Sequence, residues 1–97
     1  MTRDVATVTV RLHGAFSDMA GGTRKVTVEA SSVGEALDVL PSRLPGLRER
    51  IRDEQGHIRH HLNVFVDQEE IRRLQGEATP LRDGDVVTLV PAMSGGD

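Results

Sequence analysis

Short segments that alternate apolar and polar side chains constrain the fold of this chain most strongly. A period of two is typical of a strand with one buried face. It occurs in residues 5–12, 24–29, 62–67 and 86–90. The side chains predicted to point inward are Ala6, Val8, Val10, Leu12, Val26, Val28, Leu62, Val64, Val66, Val87 and Leu89. A further short edge strand is expected at residues 70–72.

One longer segment between the second and third strands has a helical period instead. Ser32 and Glu35 have capping-box spacing, with Ser32 accepting from the Glu35 amide and Glu35 reaching back to the Ser32 amide. The apolar stripe behind them is Val33, Ala36, Leu37, Leu40 and Leu44. Pro41 is expected to end or kink this helix near Leu40. A short second helical turn is predicted at residues 47–53.

The order of these elements is β-β-α-(short α)-β-β-β, with a loop expected at residues 13–23. At 97 residues the chain is predicted to form one domain. Strands on both sides of a single main helix favour an α+β fold, in which the helix packs across one face of one sheet. The other face of the sheet then stays open to solvent or to a partner.

Composition excludes several classes of function. The chain has two phenylalanines, no tryptophan or tyrosine, and no cysteine, so disulfides, cysteine-ligated metals and thiol nucleophiles are ruled out. Nucleic-acid binding is not expected, because a basic stripe and aromatic stacking platforms are missing. No apolar run approaches the roughly 18 residues that span a bilayer, and residues 1–4 lack the apolar region of a signal peptide. We therefore expect a cytoplasmic protein.

Charge is distributed unevenly along the chain. Residues 1–66 carry nine Lys/Arg and eight Asp/Glu, whereas residues 67–97 carry three Arg and seven acids. The acidic segment includes the C-terminal end of the sequence, so this distribution predicts steering of a basic partner towards that end.

No arrangement of residues predicts catalysis or metal binding. His57, His60 and His61, with Asp67 or Glu69 as a possible carboxylate, do not have the spacing of a helical two-histidine pair, and we interpret them as solvated loop side chains. The sequence Asp-Gly-Asp at residues 83–85 is explained by a turn, since glycine accepts the backbone angles that a tight turn needs. The chain is therefore predicted not to be an enzyme.

A possible partner surface lies on the open face of the predicted sheet. Phe65, Val86 and Val90 are apolar residues on strand faces that otherwise carry polar side chains. They form one patch if their strands are adjacent. Isolated exposed apolar residues are ordinary, but a cluster beside a terminal segment is more typical of a docking surface. Met93 and Ser94, which follow the last strand, are included in this surface.

The last seven residues, 91–97, read Pro-Ala-Met-Ser-Gly-Gly-Asp. We expect a domain at 1–91 and a flexible tail at 92–97. Two adjacent glycines form a thread that fits a channel too narrow for side chains, and residues 92–96 would reach roughly 17 Å when extended. The alternative is a frayed terminus, which is common in small domains.

The C-terminal pattern resembles that of the ubiquitin-like sulfur-carrier family. The resemblance covers residues 80–96, with the motif D-G-D followed by P-A-x-S-G-G, and extends through residues 62–67, 70–76 and 33–37. It implies the β-grasp fold. It also implies a carrier that binds no cofactor itself: a partner enzyme uses ATP to adenylate the carboxylate of Gly96, which Gly95 helps to reach the active site. A sulfurtransferase reaction then converts it to a thiocarboxylate that donates sulfide.

One residue departs from the family pattern, because Asp97 follows the diglycine. We expect that Asp97 is removed before Gly96 is activated. The resemblance is nearer to the cysteine-biosynthesis branch of the family. It implies a pyridoxal-phosphate sulfhydrylase as the sulfide acceptor and a JAMM-type zinc metalloprotease that hydrolyses the bond after the diglycine. Two alternatives remain: the small subunit of molybdopterin synthase, and a ubiquitin-like modifier or interaction module that retains Asp97.

Overall fold

The computed structural model of the protein describes residues 5–92. The strands are β1 (Ala6–Leu12), β2 (Lys25–Ala30), β3 (Leu62–Val66), β4 (Glu69–Glu70) and β5 (Val86–Pro91). The helices are α1 (Ala15–Met19), α2 (Val33–Arg43) and α3 (Arg48–Ile51), with 3₁₀ turns at Pro45–Leu47, Ile71–Arg73 and Gly76–Ala78. Within these residues, no helix has the length and apolar character needed to cross a membrane.

The five strands form one mixed sheet in the order β2-β1-β5-β3-β4. At its centre β1 pairs in parallel with β5, with Val10 opposite Val87 and Leu12 opposite Leu89. The flanking pairs, β1 with β2 and β3 with β5, are antiparallel. The α+β prediction is confirmed.

The core lies between one face of this sheet and the helices. Every side chain predicted to point inward is buried except Val26, which is partly buried and packs against the core. The buried residues of α2 are Val33, Gly34, Ala36, Leu37 and Leu40. The helical turn predicted at 47–53 is also present, and its Leu47 and Ile51 are both buried. Within residues 5–92, the opposite face of the sheet carries no helix.

The start of α2 follows the predicted capping box with one correction. The Ser32 hydroxyl accepts a hydrogen bond from the Glu35 amide at 3.2 Å, as expected. The Glu35 carboxylate, however, accepts from the amide and the hydroxyl of Ser31, at 2.6 and 2.9 Å, and not from the Ser32 amide. The glutamate thereby also orders the residue that leads from β2 into the helix.

The sequence predicted that α2 ends or kinks near Leu40. The predicted end is wrong, because the helix continues through Pro41 to Arg43. Pro41 lies in the last turn, where the loss of one amide donor removes a single helical hydrogen bond. The Leu44 amide still donates to the Leu40 carbonyl at 2.8 Å. The turn that contains the proline is therefore closed on its C-terminal side.

Residues 13–23 are not the plain loop that the sequence predicts. They contain the short helix α1, whose Phe16 side chain is only 1% exposed. Sequence periodicity could not detect this element, because one buried residue in five makes no repeat. The edge strand expected at 70–72 is also displaced: the strand is β4 at Glu69–Glu70, and a 3₁₀ turn begins at Ile71.

A single arginine connects α2 to the segments on either side of it. Arg52 donates to the Asp38 carboxylate at 3.0 Å, to the carbonyl of Gly56 at 2.8 Å and to the Glu77 carboxylate. The hydrogen bond to Glu77 raises the pKa of Arg52 above its ordinary value. Because Arg52 keeps its charge, these contacts hold the helical layer together across the range of neutral pH.

The packing of α1 against the turn that follows α2 can be tested by a substitution at Gly46. A β-carbon at Gly46 would lie 2.0 Å from the backbone carbonyl oxygen of Met19. Gly46→Ala is therefore expected to lower the free energy of unfolding by about 1–3 kcal/mol, as overpacking does. Urea titration followed by far-ultraviolet circular dichroism measures this change.

Gly21→Ala is the matched control, because a β-carbon there has no atom within 4 Å. Its positive φ of 72° adds a backbone cost of about 1–2 kcal/mol without any clash. Equal stability of Gly46→Ala and wild type would contradict the close contact between Gly46 and α1.

Candidate functional site

The candidate site begins where the chain leaves the sheet at the end of β5. Because β5 lies between β1 and β3, its last residues are held from both sides. The His13 amide donates to the Leu89 carbonyl at 3.1 Å, and the Ala92 amide donates to the His61 carbonyl at 2.8 Å. We call Pro91 and Ala92 the tail root, since the diglycine segment continues from them.

Two further contacts surround the tail root. Gly14 has φ of 57°, and a β-carbon there would lie 3.1 Å from Cγ of Pro91, so the backbone passes close to the proline ring. The rings of Phe16 and His61 are stacked, with centroids 6.3 Å apart and planes 9° from parallel. Helix α1, missed from the sequence, therefore helps to fix the point from which the tail departs.

The predicted tail residues Met93, Ser94, Gly95, Gly96 and Asp97 lie outside the described residues. Their roles stay predictions, as does the division into a domain at 1–91 and a tail at 92–97. The described residues place the start of the segment at a central strand, at one end of the sheet.

The open face of the sheet brings together the three apolar residues singled out from the sequence. Phe65 is directly opposite Thr88, and Asn63 is opposite Val90. Phe65 is therefore diagonal to both Val86 and Val90, within the reach of an aromatic side chain. All three apolar side chains are half-buried. We call Phe65, Val86 and Val90 the apolar patch.

A polar cluster borders the apolar patch on the β4 side. Glu70 is opposite Phe65, and its carboxylate accepts from Nε of Arg72 at 2.7 Å. Arg72 also donates to the side-chain oxygen of Asn63 at 3.0 Å. The hydrogen bond from Arg72 lowers the pKa of Glu70 below its ordinary value. The stabilising pair is therefore complete above the ordinary glutamate pKa and is lost as the pH falls through the lowered one.

Two acidic residues of the C-terminal third, Asp83 and Asp85, lie at the other end of the sheet from the tail root, so among the described residues they do not support the expected steering of a basic partner to the tail. The Thr7 amide donates to the Asp83 carboxylate at 2.8 Å, and the Thr9 amide donates to the Asp85 carbonyl at 3.0 Å. These contacts place both acids at the start of β1. Since a strand rises about 3.3 Å per residue, Asp85 is about 23 Å from Ala92.

The histidines singled out from the sequence take different positions. His61 stacks on Phe16, while Nδ1 of His57 lies 4.0 Å from the Asp53 carboxylate in an exposed loop. Hydrogen bonds from backbone amides, first that of His57, lower the pKa of Asp53. Among residues 5–92, no three His, Cys, Asp or Glu side chains are grouped to hold a metal ion.

The sequence matches the model of a known protein family. The model of the ThiS family matches residues 10–96, which include both glycines of the tail. The sulfur carrier protein CysO of Mycobacterium tuberculosis (strain H37Rv) is 32% identical over 91 residues, covering 92% of this chain and 98% of that protein. Small archaeal modifier protein 1 of Haloferax volcanii is 37% identical over 86 residues, covering 84% and 94% respectively.

Solved structures show the same fold. Small archaeal modifier protein 1 of Methanosarcina acetivorans superimposes with a TM-score of 0.84 at 28% identity, covering 97% of this chain and all of that one. CysO in a complex with BexX from Amycolatopsis orientalis gives 0.79 at 31% identity, covering 92% and 99%. A putative molybdopterin converting factor subunit of Pyrococcus furiosus gives 0.69 at 21% identity, covering 91% and 99%, and shares the fold alone. The β-grasp expectation is confirmed.

Proposed function

This chain belongs to the ThiS family, and we propose on that basis that it is a sulfur carrier whose chemical group is the carboxylate of Gly96. The observation that carries the proposal is that the family match extends through residue 96, so that it includes the diglycine. The alignment with the sulfur carrier protein CysO of Mycobacterium tuberculosis covers 98% of that protein's length. The chain itself acts as a co-substrate and not as a catalyst.

The proposed chemistry takes place on a main-chain carbon. The Gly96 carboxylate attacks the α-phosphorus of ATP in the partner's active site and displaces pyrophosphate. Hydrosulfide then attacks the acyl carbon and displaces AMP, which leaves a thiocarboxylate. Because sulfur is held on this carbon, the absence of cysteine from the chain is no obstacle. We place these reactions in the cytoplasm, where ATP is available.

Two features of the described residues support this function. The tail root lies at the end of a central strand: the Ala92 amide donates to the His61 carbonyl on one side, and the Gly14 backbone passes close to the Pro91 ring on the other, so the diglycine starts from a defined position. The apolar patch lies on the open face at the same strand, where an enzyme that binds the patch would be close to the tail. We propose that the apolar patch, together with Met93 and Ser94, contacts the adenylating enzyme.

Asp97 makes a processing step necessary, since the Gly96 carboxyl group is in a peptide bond with it. We propose that a zinc metalloprotease of the JAMM type hydrolyses this bond and releases the Gly96 carboxylate. An enzyme shaped for a terminal glycine would otherwise meet a larger residue and an added negative charge beside the phosphates of ATP.

We propose that the sulfur is used for cysteine or a related metabolite, through a pyridoxal-phosphate sulfhydrylase. The similarity to CysO, a named sulfur carrier, supports this pathway. A second candidate function is protein modification, which the similarity to an archaeal modifier protein favours. Both functions require an activated Gly96; in the second, a lysine amine takes the place of hydrosulfide as the nucleophile.

The processing step can be tested with three forms of the chain and the adenylating enzyme of the same host. A chain ending at Gly96 is expected to support exchange of pyrophosphate into ATP, whereas the chain with Asp97 is not. Gly96→Ala in the shortened chain is expected to reduce exchange at least about tenfold, because a methyl group is added where the channel admits only glycine. Equal exchange by the forms with and without Asp97 would contradict the processing step.

The docking role of the apolar patch is tested by Phe65→Asp. The domain is expected to fold normally, because Phe65 lies on the open face outside the core. Exchange should fall about tenfold or more, since a charge is placed in an apolar contact. Leu74→Asp is the control, because Leu74 is 42% exposed and lies outside the apolar patch. Unchanged exchange with Phe65→Asp would overturn the docking role.

A further inference from the structure

Basic side chains gather at the end of the sheet from which the tail departs. Arg11 is the last outward-facing residue of β1, and His13 follows that strand. Arg24 and Lys25 stand at the start of β2, where the Leu12 amide donates to the Arg24 carbonyl at 2.8 Å. All four side chains are exposed. We call Arg11, His13, Arg24 and Lys25 the basic collar.

The collar contains a like-charge pair within the sheet. Arg11 is directly opposite Lys25 across the antiparallel pair β1 and β2. Like charges directly opposite each other destabilise a sheet. Within residues 5–92, neither side chain forms a salt bridge, whereas Arg52 and Arg72 both do. The free domain thus carries a repulsion that negative charge from outside would relieve.

The collar is also concave. A hollow beside α1 is lined by Arg11, His13, Arg24, Gly14, Ser17 and Asp18, among others. A shallow groove on the open face is lined by Arg11 and His13 as well, and it continues past Thr88 and Val86 to Asp67. Since Arg11 and His13 line both depressions, the basic hollow is continuous with the edge of the apolar patch.

We propose that the basic collar binds carboxylate side chains of the enzyme that adenylates Gly96. This inference rests on the proposed function and adds the chemistry of the partner surface around the tail. Arg11 is next to Thr88 across β1 and β5, and Thr88 is next to Phe65 across β5 and β3. A partner that covers the apolar patch while it accepts the tail must therefore also lie over Arg11.

The chemistry of the collar favours protein carboxylates over a small free anion. Guanidinium groups bind carboxylates with two parallel hydrogen bonds. The four side chains of the collar are exposed and lie at the start of β2 and the end of β1, so several carboxylates on one large partner can each bind a different member, whereas a single phosphate cannot. Exposed charges at the rim of an interface act mainly by speeding encounter and fixing orientation, a role that acidic side chains on a large partner fulfil.

The distribution of charge over the chain also favours an approach in which the tail root faces the partner. The net charge is −3, and Asp83 and Asp85 lie at the end of the sheet opposite the tail root. An acidic partner surface would be repelled by that end and attracted by the collar. The carrier would therefore approach its enzyme with the tail root foremost, which is the orientation that delivers Gly96 to ATP.

The test uses charge reversal with a matched control. Arg11→Glu combined with Lys25→Glu alters the collar, whereas Arg48→Glu combined with Arg50→Glu alters exposed residues of α3, on the side covered by helices. Each pair changes the net charge by the same amount. The measured quantity is kcat/KM for pyrophosphate exchange, with chains that end at Gly96 and the adenylating enzyme of the same host.

At low ionic strength the collar pair is expected to lower kcat/KM about tenfold or more, mainly through KM, and the control pair less than about threefold. The difference should shrink at about 0.5 M salt, where exposed charges are screened. Arg11→Thr with Lys25→Thr, which suits a strand and removes the like-charge pair, should fold at least as stably as wild type and also lose rate at low salt. A hexaglutamate peptide should inhibit exchange more strongly than equimolar inorganic phosphate.

Equal effects of the collar and control pairs, or a loss that persists unchanged at high salt, would overturn the collar's role while leaving the carrier function intact. Stronger inhibition by phosphate than by hexaglutamate, seen with the wild-type chain and absent from the Arg11→Thr, Lys25→Thr chain, would assign the collar to a small anion and contradict the inference. Absence of exchange with every form, wild type included, would overturn the proposed function and the collar's partner together.

Discussion

The parallel pairing of β1 with β5 at the centre of the sheet is the interaction on which the rest of the structure depends. It joins the first strand of the chain to the last, and both strands bury their inward side chains under α2 almost completely. Because β5 is central, its final residues have a neighbour on each side: the His13 amide donates to the Leu89 carbonyl just before the tail root, and the Ala92 amide of the tail root donates to the His61 carbonyl. A carrier needs this combination: a stable point of departure for a segment that must enter another protein.

The two faces of the sheet have different roles. The helical face contains the aliphatic core, stabilised by the removal of apolar area from water. The open face carries the apolar patch and the polar cluster of Glu70 and Arg72, and the basic collar lies at the end of the sheet beside the tail root. These features are arranged around β5, and they become more positively charged towards the tail root. The proposed function assigns the sulfur chemistry to the main-chain carboxylate of Gly96, and the features of the open face lie beside the segment that leads to it.

Much of the fold could be predicted from the sequence, because alternation and helical periodicity depend on many residues at once. The capping role of Ser32 was also predictable, because it depends on a hydrogen bond between residues three positions apart. Predictions failed where a single residue decides the outcome and no repeat reports it: α1 is defined by one buried phenylalanine, the Glu35 carboxylate binds Ser31 and not Ser32, and Pro41 lies within the last turn of α2. The apolar patch was predictable from strand faces, but the collar was not. Arg11 and Lys25 become neighbours only through strand register, and the pairing of β1 with β5 likewise places Asp83 and Asp85 at the end of the sheet opposite the tail root.

The central claim is that the carboxylate of Gly96 carries sulfur after Asp97 has been removed. The most direct measurement is the intact mass of the protein isolated from its own host under conditions that preserve thiocarboxylates. The mass should correspond to a chain that ends at Gly96, with a fraction in which one oxygen is replaced by sulfur, and an alkylating reagent should label that fraction at the C-terminus. Sulfur-bearing protein that retains Asp97, or protein that ends at Gly96 but never carries sulfur in sulfur-replete cells, would contradict the claim.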